Sequence, residues 1–190
     1  MKTKIFVVSG PSGSGKTSIL KALFRRKKIK RNFLIIPTCT TRSPRRGEKE
    51  AVDYHFLTRD NFQALKKRGF FLESKKFLQD FYGTPKSFLS QARRQKKHPL
   101  LCIDVEGALK VKKKFRQRSV LVFIDVPSDK ALKARLKKRK TEKQAVLKKR
   151  LRIAKKEVKY ATKYHYRIVN ENFKDTVDVL EDIFLKETPS

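Results

Sequence analysis

The 190-residue sequence contains no tryptophan, one methionine and two cysteines, Cys39 and Cys102. Two isolated cysteines exclude a disulfide framework and a C-x-x-C metal or redox motif, and they fit a reducing, cytoplasmic compartment. The three histidines are scattered without ligand spacing, so no metal–histidine site is predicted. The longest apolar run near the N-terminus, residues 5–8, is too short for a signal-peptide core, and no run approaches a membrane span. We therefore expect a protein that is neither secreted nor bound in a membrane.

Acidic residues are also scarce, because 18 Asp and Glu stand against 50 Lys and Arg and give a formal net charge of +32. Hydrophobic residues make up 38% of the chain, which is enough for one domain with a buried core and too much for a disordered chain. A surface this basic predicts anionic partners.

Short apolar runs alternate with stretches of helical periodicity, a pattern typical of an α/β fold with a parallel sheet flanked by helices. Core strands are predicted at residues 4–9, 33–38, 100–105, 120–126 and 166–170. Residues 37–88 predict a small α+β insertion, with strands at 54–57 and 70–77 around a helix at 60–68. Residues 129–157 are strongly basic and carry apolar residues at helical spacing in their later part, which predicts a helix with one packed stripe and one basic face. The core would then comprise residues 1–36, 89–128 and 158–190.

A glycine-rich loop follows the first predicted strand and matches the complete pattern G-x-x-x-x-G-K-[ST]. Such a loop turns its backbone N–H groups toward phosphates, and the next helix presents its positive end to the same charge. Lys16 would reach the β- and γ-phosphates of ATP, and the Thr17 hydroxyl would ligate Mg²⁺. Because Ser18 occupies the position of the third glycine, a dinucleotide-binding G-x-G-x-x-G motif is excluded. The predicted ATP-binding residues of the loop are Gly10, Pro11, Ser12, Gly13, Ser14, Gly15, Lys16, Thr17 and Ser18.

The predicted insertion carries a second set of motifs: T-T-R-S-P-R-R-G-E at residues 40–48, D-Y at 53–54, Glu73, and Y-G-T at 82–84. In this order and spacing they resemble the guanylate kinase family. The resemblance continues through I-D-V-E-G at 103–107, K-R-L at 149–151 and I-V-N at 168–170, so it covers essentially the whole chain. It implies a P-loop NTPase-type sheet with a GMP-binding insertion at residues 37–88 and a helical lid at residues 129–157. It also implies transfer of the γ-phosphoryl group of MgATP to GMP, with the use of dGMP left open.

The resemblance further implies roles for individual residues of the acceptor site. Glu48 would orient the arginines that bind the acceptor phosphate. Guanine offers N1–H and its N2 amine as donors and O6 as an acceptor, so its reader needs carboxylates and hydroxyls. Adenine lacks the N1–H and would leave a buried carboxylate unpaired, at a cost of about 1–3 kcal/mol. The phosphate ligands are Arg42, Arg45, Tyr54 and Tyr82, and the guanine readers are Thr38, Glu73, Thr84 and Asp104.

On the ATP side, the resemblance implies that Arg139 and Arg150 contact the transferring phosphate, with Arg135 as a third contact and Asn170 near the adenine. Lys16, Arg42, Arg139 and Arg150 would be the catalytic residues. Many relatives have an acidic residue where this chain has Cys102. A thiol is a poor partner for Mg²⁺, so the metal would depend on Thr17, nucleotide oxygens and Asp104 or Glu106.

Two other functions remain open from the sequence: a guanylate-kinase-like binding module without catalysis, and a basic nucleic-acid-binding protein. The presence of Lys16, Thr17, Arg139 and Arg150 favours the kinase. Three basic runs at residues 25–31, 93–97 and 110–118 are not connected to any motif. They fit a compositional bias, a nucleic-acid or ribosome contact, or a field that steers nucleotides. Both a monomer and a homodimer are compatible with the sequence.

Overall fold

The computed structural model describes residues 3–45, 47–137 and 144–188, which form two sheets and their covering helices. In chain order the strands are β1 (Ile5–Ser9), β2 (Phe33–Ile36), β3 (Thr38–Thr40), β4 (Tyr54–Phe56), β5 (Phe71–Phe77), β6 (Asp80–Pro85), β7 (His98–Cys102), β8 (Ser119–Asp125) and β9 (Tyr166–Val169). The helices are α1 (Lys16–Leu23), α2 (Lys27–Asn32), α3 (Arg59–Lys67), α4 (Phe88–Arg94), α5 (Val105–Phe115), α6 (Asp129–Lys137), α7 (Gln144–Val158) and α8 (Phe173–Glu187).

The central sheet has five parallel strands in the order β2-β7-β1-β8-β9. Its middle strands are buried on both faces, because successive side chains of β1 point to opposite sides and all are apolar except Ser9. Phe6 and Val8 pack with residues of α1 and α8, whereas Ile5 and Val7 pack with residues of α5. The parallel sheet covered by helices confirms the predicted α/β class.

The second sheet is built within the predicted insertion and has the strand order β4-β3-β6-β5. Helix α3 begins at the Thr58 cap, whose hydroxyl accepts a hydrogen bond from the Asn61 N–H, and it covers one face of this sheet. Phe62 on α3 is fully buried and stacks on Phe71 with ring centroids 4.5 Å apart. This separate small core holds the insertion together.

Three sequence predictions of local structure were wrong in detail. The strand predicted at 33–38 ends at Ile36, because Pro37 interrupts it and Thr38 begins a strand of the other sheet. The strand predicted at 100–105 ends at Cys102, since Asp104 caps α5 by accepting the Gly107 N–H at 2.9 Å. Strand β6 was not predicted.

Among the described residues, no helix has both the length and the apolar character needed to cross a bilayer.

Candidate active site

A cleft opens where β1 and β7 end and extends to the second sheet. The carboxyl ends of parallel strands are the usual place for ligands in α/β sheets. Its wall is formed by Gly10, Ser12, Gly13, Gly15, Lys16, Thr17, Ser18, Thr38, Arg42, Arg45, Tyr54, Glu73, Phe77, Tyr82, Gly83, Cys102, Ile103, Asp104, Arg150 and Glu157.

The glycine-rich loop joins β1 to α1 and needs glycine for steric reasons. Gly10 has a φ of 139°, and a Cβ there would lie 2.1 Å from the Ile124 carbonyl oxygen. Gly15 has a φ of 97° and is closely approached by Asn170, whose amide donates to the Ser14 carbonyl at 2.7 Å. The loop is thus fixed against β8 and against the end of β9 before any ligand arrives.

Lys16 is held over this loop by two of its carbonyl groups. Its Nζ donates to the carbonyl oxygens of Gly10 and Pro11, at 2.7 and 2.9 Å. The ammonium therefore lies where the loop would surround a phosphate, next to the N-terminus of α1.

The acceptor arginine Arg42 is held by Glu48. Its Nη2 donates to both carboxylate oxygens at 3.0 Å, and the backbone N–H of Arg45 donates to the same carboxylate at 2.7 Å. Burial alone would lower the pKa of Arg42, but Glu48 and Tyr82 outweigh it and raise that pKa above its ordinary value. The guanidinium also lies 5.4 Å from the centroid of the Tyr54 ring, a favourable cation–π contact.

The register of the second sheet places the polar groups of the acceptor side. Tyr54 on β4 lies beside Thr38 on β3, and its ring is 6.2 Å from that of Tyr82. Burial raises the pKa of Tyr54 to about 12, so its hydroxyl stays a hydrogen-bond donor at neutral pH. The preceding Asp53 forms an ion pair with Lys21 of α1 at 2.6 Å, which ties the insertion to the glycine-rich loop's helix.

The second sheet also holds a buried carboxylate, that of Glu73. Glu73 on β5 faces Thr84 on β6, and the Thr84 hydroxyl donates to Glu73 Oε1 at 2.6 Å. Glu73 is 8% exposed and Thr84 is fully buried. Desolvation raises the pKa of Glu73, so its charge is costly until a donor is placed against it.

Asp104 also has a structural role, as the cap of α5. Its Oδ1 caps α5, and its Oδ2 lies 3.4 Å from the Nζ of Lys75. Lys75 also lies 3.7 Å from Glu106, so one lysine bridges two carboxylates beside the cleft.

The helix α7 supplies the opposite wall. Arg150 is 8% exposed and donates to the Ser12 hydroxyl of the glycine-rich loop at 2.9 Å. Its guanidinium also lies 5.7 Å from the ring of Phe77, at the tip of the second sheet. One arginine thus contacts both the loop and the insertion.

Glu157, seven residues after Arg150 on the same helix, adds a carboxylate to the cleft. Burial raises its pKa to about 7, an effect that nearby Lys16 opposes and Asp104 reinforces.

The Cys102 thiol has its pKa raised by burial, so it is neutral at physiological pH. In the described ranges, no group of three or more His, Cys, Asp or Glu side chains could hold a metal ion by itself.

The cleft brings together most of the residues that the sequence predicted. Asn170 and Arg135 do not line it: Arg135 Nη2 donates to the Asn170 carbonyl at 2.8 Å, and the Asn170 amide holds Ser14. Pro11, Ser14 and Thr84 are also absent from the wall, and Arg139 lies outside the described residues. Their roles toward ligands stay predictions.

Sequence reasoning missed Phe77, Gly83, Ile103 and Glu157 as lining residues, whereas Cys102, which the resemblance placed beside the metal, does line the cleft. For Glu157 a signal was available. Positions 150 and 157 are two helical turns apart and lie on one face of α7, with buried Ala154 between them.

The chain is similar to proteins of known family throughout its length. A family model described as "Guanylate kinase" matches residues 2–187. The guanylate kinase of Clostridium perfringens is 42% identical over 183 residues, which cover 96% of this chain and 83% of that protein. The guanylate kinase of Thermotoga maritima is 40% identical over 187 residues, covering 98% and 88%.

Solved structures show the same similarity. A crystal structure of guanylate kinase from Anaplasma phagocytophilum has a TM-score of 0.78 and 30% identity, covering 99% of this chain and 87% of that one. A shikimate kinase from Acinetobacter baumannii in complex with shikimate has a TM-score of 0.50 and 14% identity, which shows a similar fold only.

Proposed function

The chain belongs to the guanylate kinase family, and on that premise we propose that it transfers the γ-phosphoryl group of ATP to GMP, giving ADP and GDP. One observation carries the proposal for this chain. A single cleft holds Lys16 of the triphosphate-binding loop together with Arg42 and the buried Glu73–Thr84 pair. Donor and acceptor nucleotides would therefore meet in one enclosed space.

Selection of guanine follows from the Glu73–Thr84 pair. The carboxylate would accept from N1–H and the N2 amine, while the Thr38 hydroxyl in the wall of the cleft would donate to O6 and Thr84 would hold the carboxylate through its own hydroxyl. Adenine would leave the Thr84 hydroxyl as the donor to Glu73 and supply none of its own to the other carboxylate oxygen in this buried position. Asp104, already paired with Lys75, is the second carboxylate on this side.

Phosphoryl transfer requires the acceptor phosphate to approach an already polyanionic ATP. Lys16, Arg42 and Arg150 would place fixed cations around both phosphates, and Tyr54 and Tyr82 would add hydroxyl donors. The attacking phosphate oxygen is already ionised, so no general base is required and positioning carries the rate. The γ-phosphoryl group leaves the β-phosphate oxygen as its new bond to the GMP oxygen forms.

The residues present fit a Mg²⁺ ion that enters with ATP. The Thr17 hydroxyl is an oxygen ligand in the wall of the cleft, next to Lys16, whereas the neutral Cys102 thiol is unsuited to a hard cation. When bound, Mg²⁺ supplies charge neutralisation of the β- and γ-phosphate oxygens.

We interpret α6 and α7 as the lid and residues 37–88 as the GMP-binding insertion. Lid closure would exclude water and suppress ATP hydrolysis without an acceptor. The substrates belong to purine nucleotide metabolism, and the two unpaired cysteines fit a cytoplasmic enzyme. The alternative of a module without catalysis is not adopted, because Lys16, Thr17 and Arg150 all line the cleft.

The test is ADP release from MgATP by protein freed of nucleic acid, with GMP, dGMP, AMP, UMP or no acceptor. We expect turnover selective for GMP. Lys16→Ala should abolish it, and Lys66→Ala, which removes an exposed lysine of α3 outside the cleft, should not change it. Equal hydrolysis with every acceptor, or none despite GMP binding, would refute the kinase.

A further inference from the structure

The proposed kinase activity makes no use of the basic runs at residues 25–31, 93–97 and 110–118. The topology nevertheless brings their ends together. Because all five strands of the central sheet are parallel, the residues that precede each strand share one edge of the sheet. We call this edge, formed by residues 30–32, 95–97, 116–118 and 163–165, the amino edge. It is opposite to the edge that carries the glycine-rich loop, which follows β1.

Side-chain contacts join neighbouring segments of the amino edge. The Lys97 Nζ donates to the Lys30 carbonyl at 2.9 Å, and the Lys112 Nζ donates to the Lys163 carbonyl at 2.6 Å. Arg118 Nη2 reaches the Thr3 carbonyl at 3.4 Å. These cations bond to neutral carbonyl groups, so their charge is not cancelled by acids.

The segments that lead into β2, β7 and β8 contain no acidic residues. Residues 25–34, 91–97 and 110–119 contain sixteen Lys and Arg and no Asp or Glu. Glu187 reaches the edge but is already bound, to Lys4 at 2.8 Å and to the Tyr166 hydroxyl at 2.7 Å. In the three basic runs, the exposed cations for which the described chain shows no ion pair are Arg25, Lys27, Lys28, Lys30, Arg31, Arg93, Arg94, Lys96, Lys113, Lys114, Arg116 and Arg118.

The acids of the described chain are concentrated elsewhere. Asp104, Glu106 and Glu157 lie at or beside the cleft, and α8 carries Asp175, Asp178, Glu181 and Asp182, of which Asp178 and Glu181 form ion pairs with Arg26 of the first basic run. The positive charge is therefore distributed unevenly across the fold. A compositional bias spread over the whole chain does not by itself account for sixteen cations without an acid in the segments beside the amino edge, and helix dipoles account for only part of the cations in the last turns of α4 and α5.

We propose that the amino edge binds the phosphate backbone of double-stranded RNA, away from the nucleotide cleft. An extended surface of positive charge is complementary to a polyanion. Five strands about 4.8 Å apart make the amino edge about 20 Å wide, enough for several phosphates. Amide side chains lie among the cations at Asn32, Gln95 and Gln117, and amides can both donate to and accept from ribose 2′-hydroxyls.

The surroundings of the amino edge disfavour other polyanions. Among the described residues of the three runs, none is an exposed large hydrophobic or aromatic side chain. Single strands are held largely by bases stacked on aromatic rings, and surface helices bind membranes through a buried apolar face. A duplex contacted through its phosphates needs neither.

The experiment measures binding of the full-length protein to a 20-base-pair RNA duplex by fluorescence anisotropy, over a range of salt concentrations. The test variant is Arg31→Gln/Lys96→Gln/Arg116→Gln, which neutralises one exposed cation of each run within the amino edge. The matched control is Lys66→Gln/Lys67→Gln/Arg68→Gln, which removes the same charge from exposed positions at the end of α3.

We expect the test variant to bind at least about tenfold more weakly and its slope of log K against log salt to fall by about one unit per lost contact. The control should bind as the parent protein does. Saturating MgATP or GMP should not displace the duplex, and GMP-dependent ADP release should be equal in all three proteins, so this proposal and the kinase fail separately.

Four results would overturn the proposal: no binding near physiological salt, an equal loss of binding in the control, displacement by MgATP, or stronger binding to vesicles containing phosphatidylserine. A DNA duplex of the same sequence bound as tightly as the RNA would overturn the assignment to RNA.

Discussion

Replacing Glu73 by Gln tests the central feature of the acceptor side, a buried carboxylate facing Thr84. The amide keeps the size of the side chain and an oxygen that can accept the Thr84 hydroxyl, now 2.6 Å from Oε1. It removes the negative charge and replaces the second acceptor by a donor, which would face the donors of guanine. The change should therefore affect GMP far more than the fold.

The loss of GMP binding can be estimated from the hydrogen bonds involved. A hydrogen bond to a charged group contributes about 1.5–3 kcal/mol, which corresponds to a roughly 10- to 150-fold weaker affinity. The same substitution should stabilise the nucleotide-free protein at pH 8. Desolvation raises the pKa of Glu73 in the folded state, so wild-type stability is lost as pH rises through that pKa. The neutral amide does not suffer this loss.

The assay combines calorimetric titration with GMP and thermal unfolding at pH 4 and pH 8. Asp60→Asn serves as the control, because Asp60 is an exposed acid of the same insertion, on α3. We expect weaker GMP binding with a higher Tm at pH 8 for Glu73→Gln, and no change in GMP binding for Asp60→Asn. Unchanged GMP affinity, or a lower Tm at pH 8 than wild type, would show that Glu73 does not read guanine from a desolvated position.

Three further changes test neighbouring features. Gly107→Ala would place a Cβ 3.0 Å from Glu73 Oε2, so the carboxylate must shift and the KM for GMP should rise about tenfold. Steady-state kinetics would measure this, and an unchanged KM would contradict it. Glu157→Gln should raise stability by up to about 3 kcal/mol at pH 8 but not at pH 5, because burial raises the pKa of Glu157 to about 7. Equal Tm differences at the two pH values would contradict that. Phe62→Ala removes a fully buried ring stacked on Phe71 and should lower the free energy of unfolding, measured by calorimetry, by about 3–5 kcal/mol. A much smaller decrease would show that the second sheet has no packed core of its own.

The elements set by local chemistry were predictable. The apolar runs of β1 and β8 and the glycine-rich loop between β1 and α1 appear where their residues indicate. The ends of the strands were harder to predict from the sequence, because they depend on single polar or cyclic residues. Pro37 separates two strands that belong to different sheets, and Asp104 caps a helix at a position that apolar content assigned to a strand.

The candidate site was predictable to the extent that its residues lie in one motif. Arg42 and Glu48 are six residues apart, and their contact follows from a short loop. The contact of Arg150 with Ser12 spans 138 positions, and that of Asn170 with Ser14 spans 156. Neither hydrophobic periodicity nor local residue spacing predicts such contacts, because they arise from the crossover connections of the parallel sheet.

The cations of the cleft are held in place by the protein itself, in two different ways. Arg42 Nη2 is bound to Glu48 and its Nη1 donates to the Ser43 carbonyl at 2.6 Å, so its orientation is fixed during folding. Lys16 instead donates to two neutral carbonyl oxygens of the loop.

These two arrangements have different consequences for binding. A phosphate dianion is a much stronger acceptor for Lys16 than a carbonyl group, so the ammonium gains interaction energy by turning to it. Arg42 can keep Glu48 while a phosphate approaches, so little side-chain entropy is lost on binding. Replacing Arg42 by Lys would remove the planar group that makes both contacts, and we expect weaker GMP binding even though the charge is conserved.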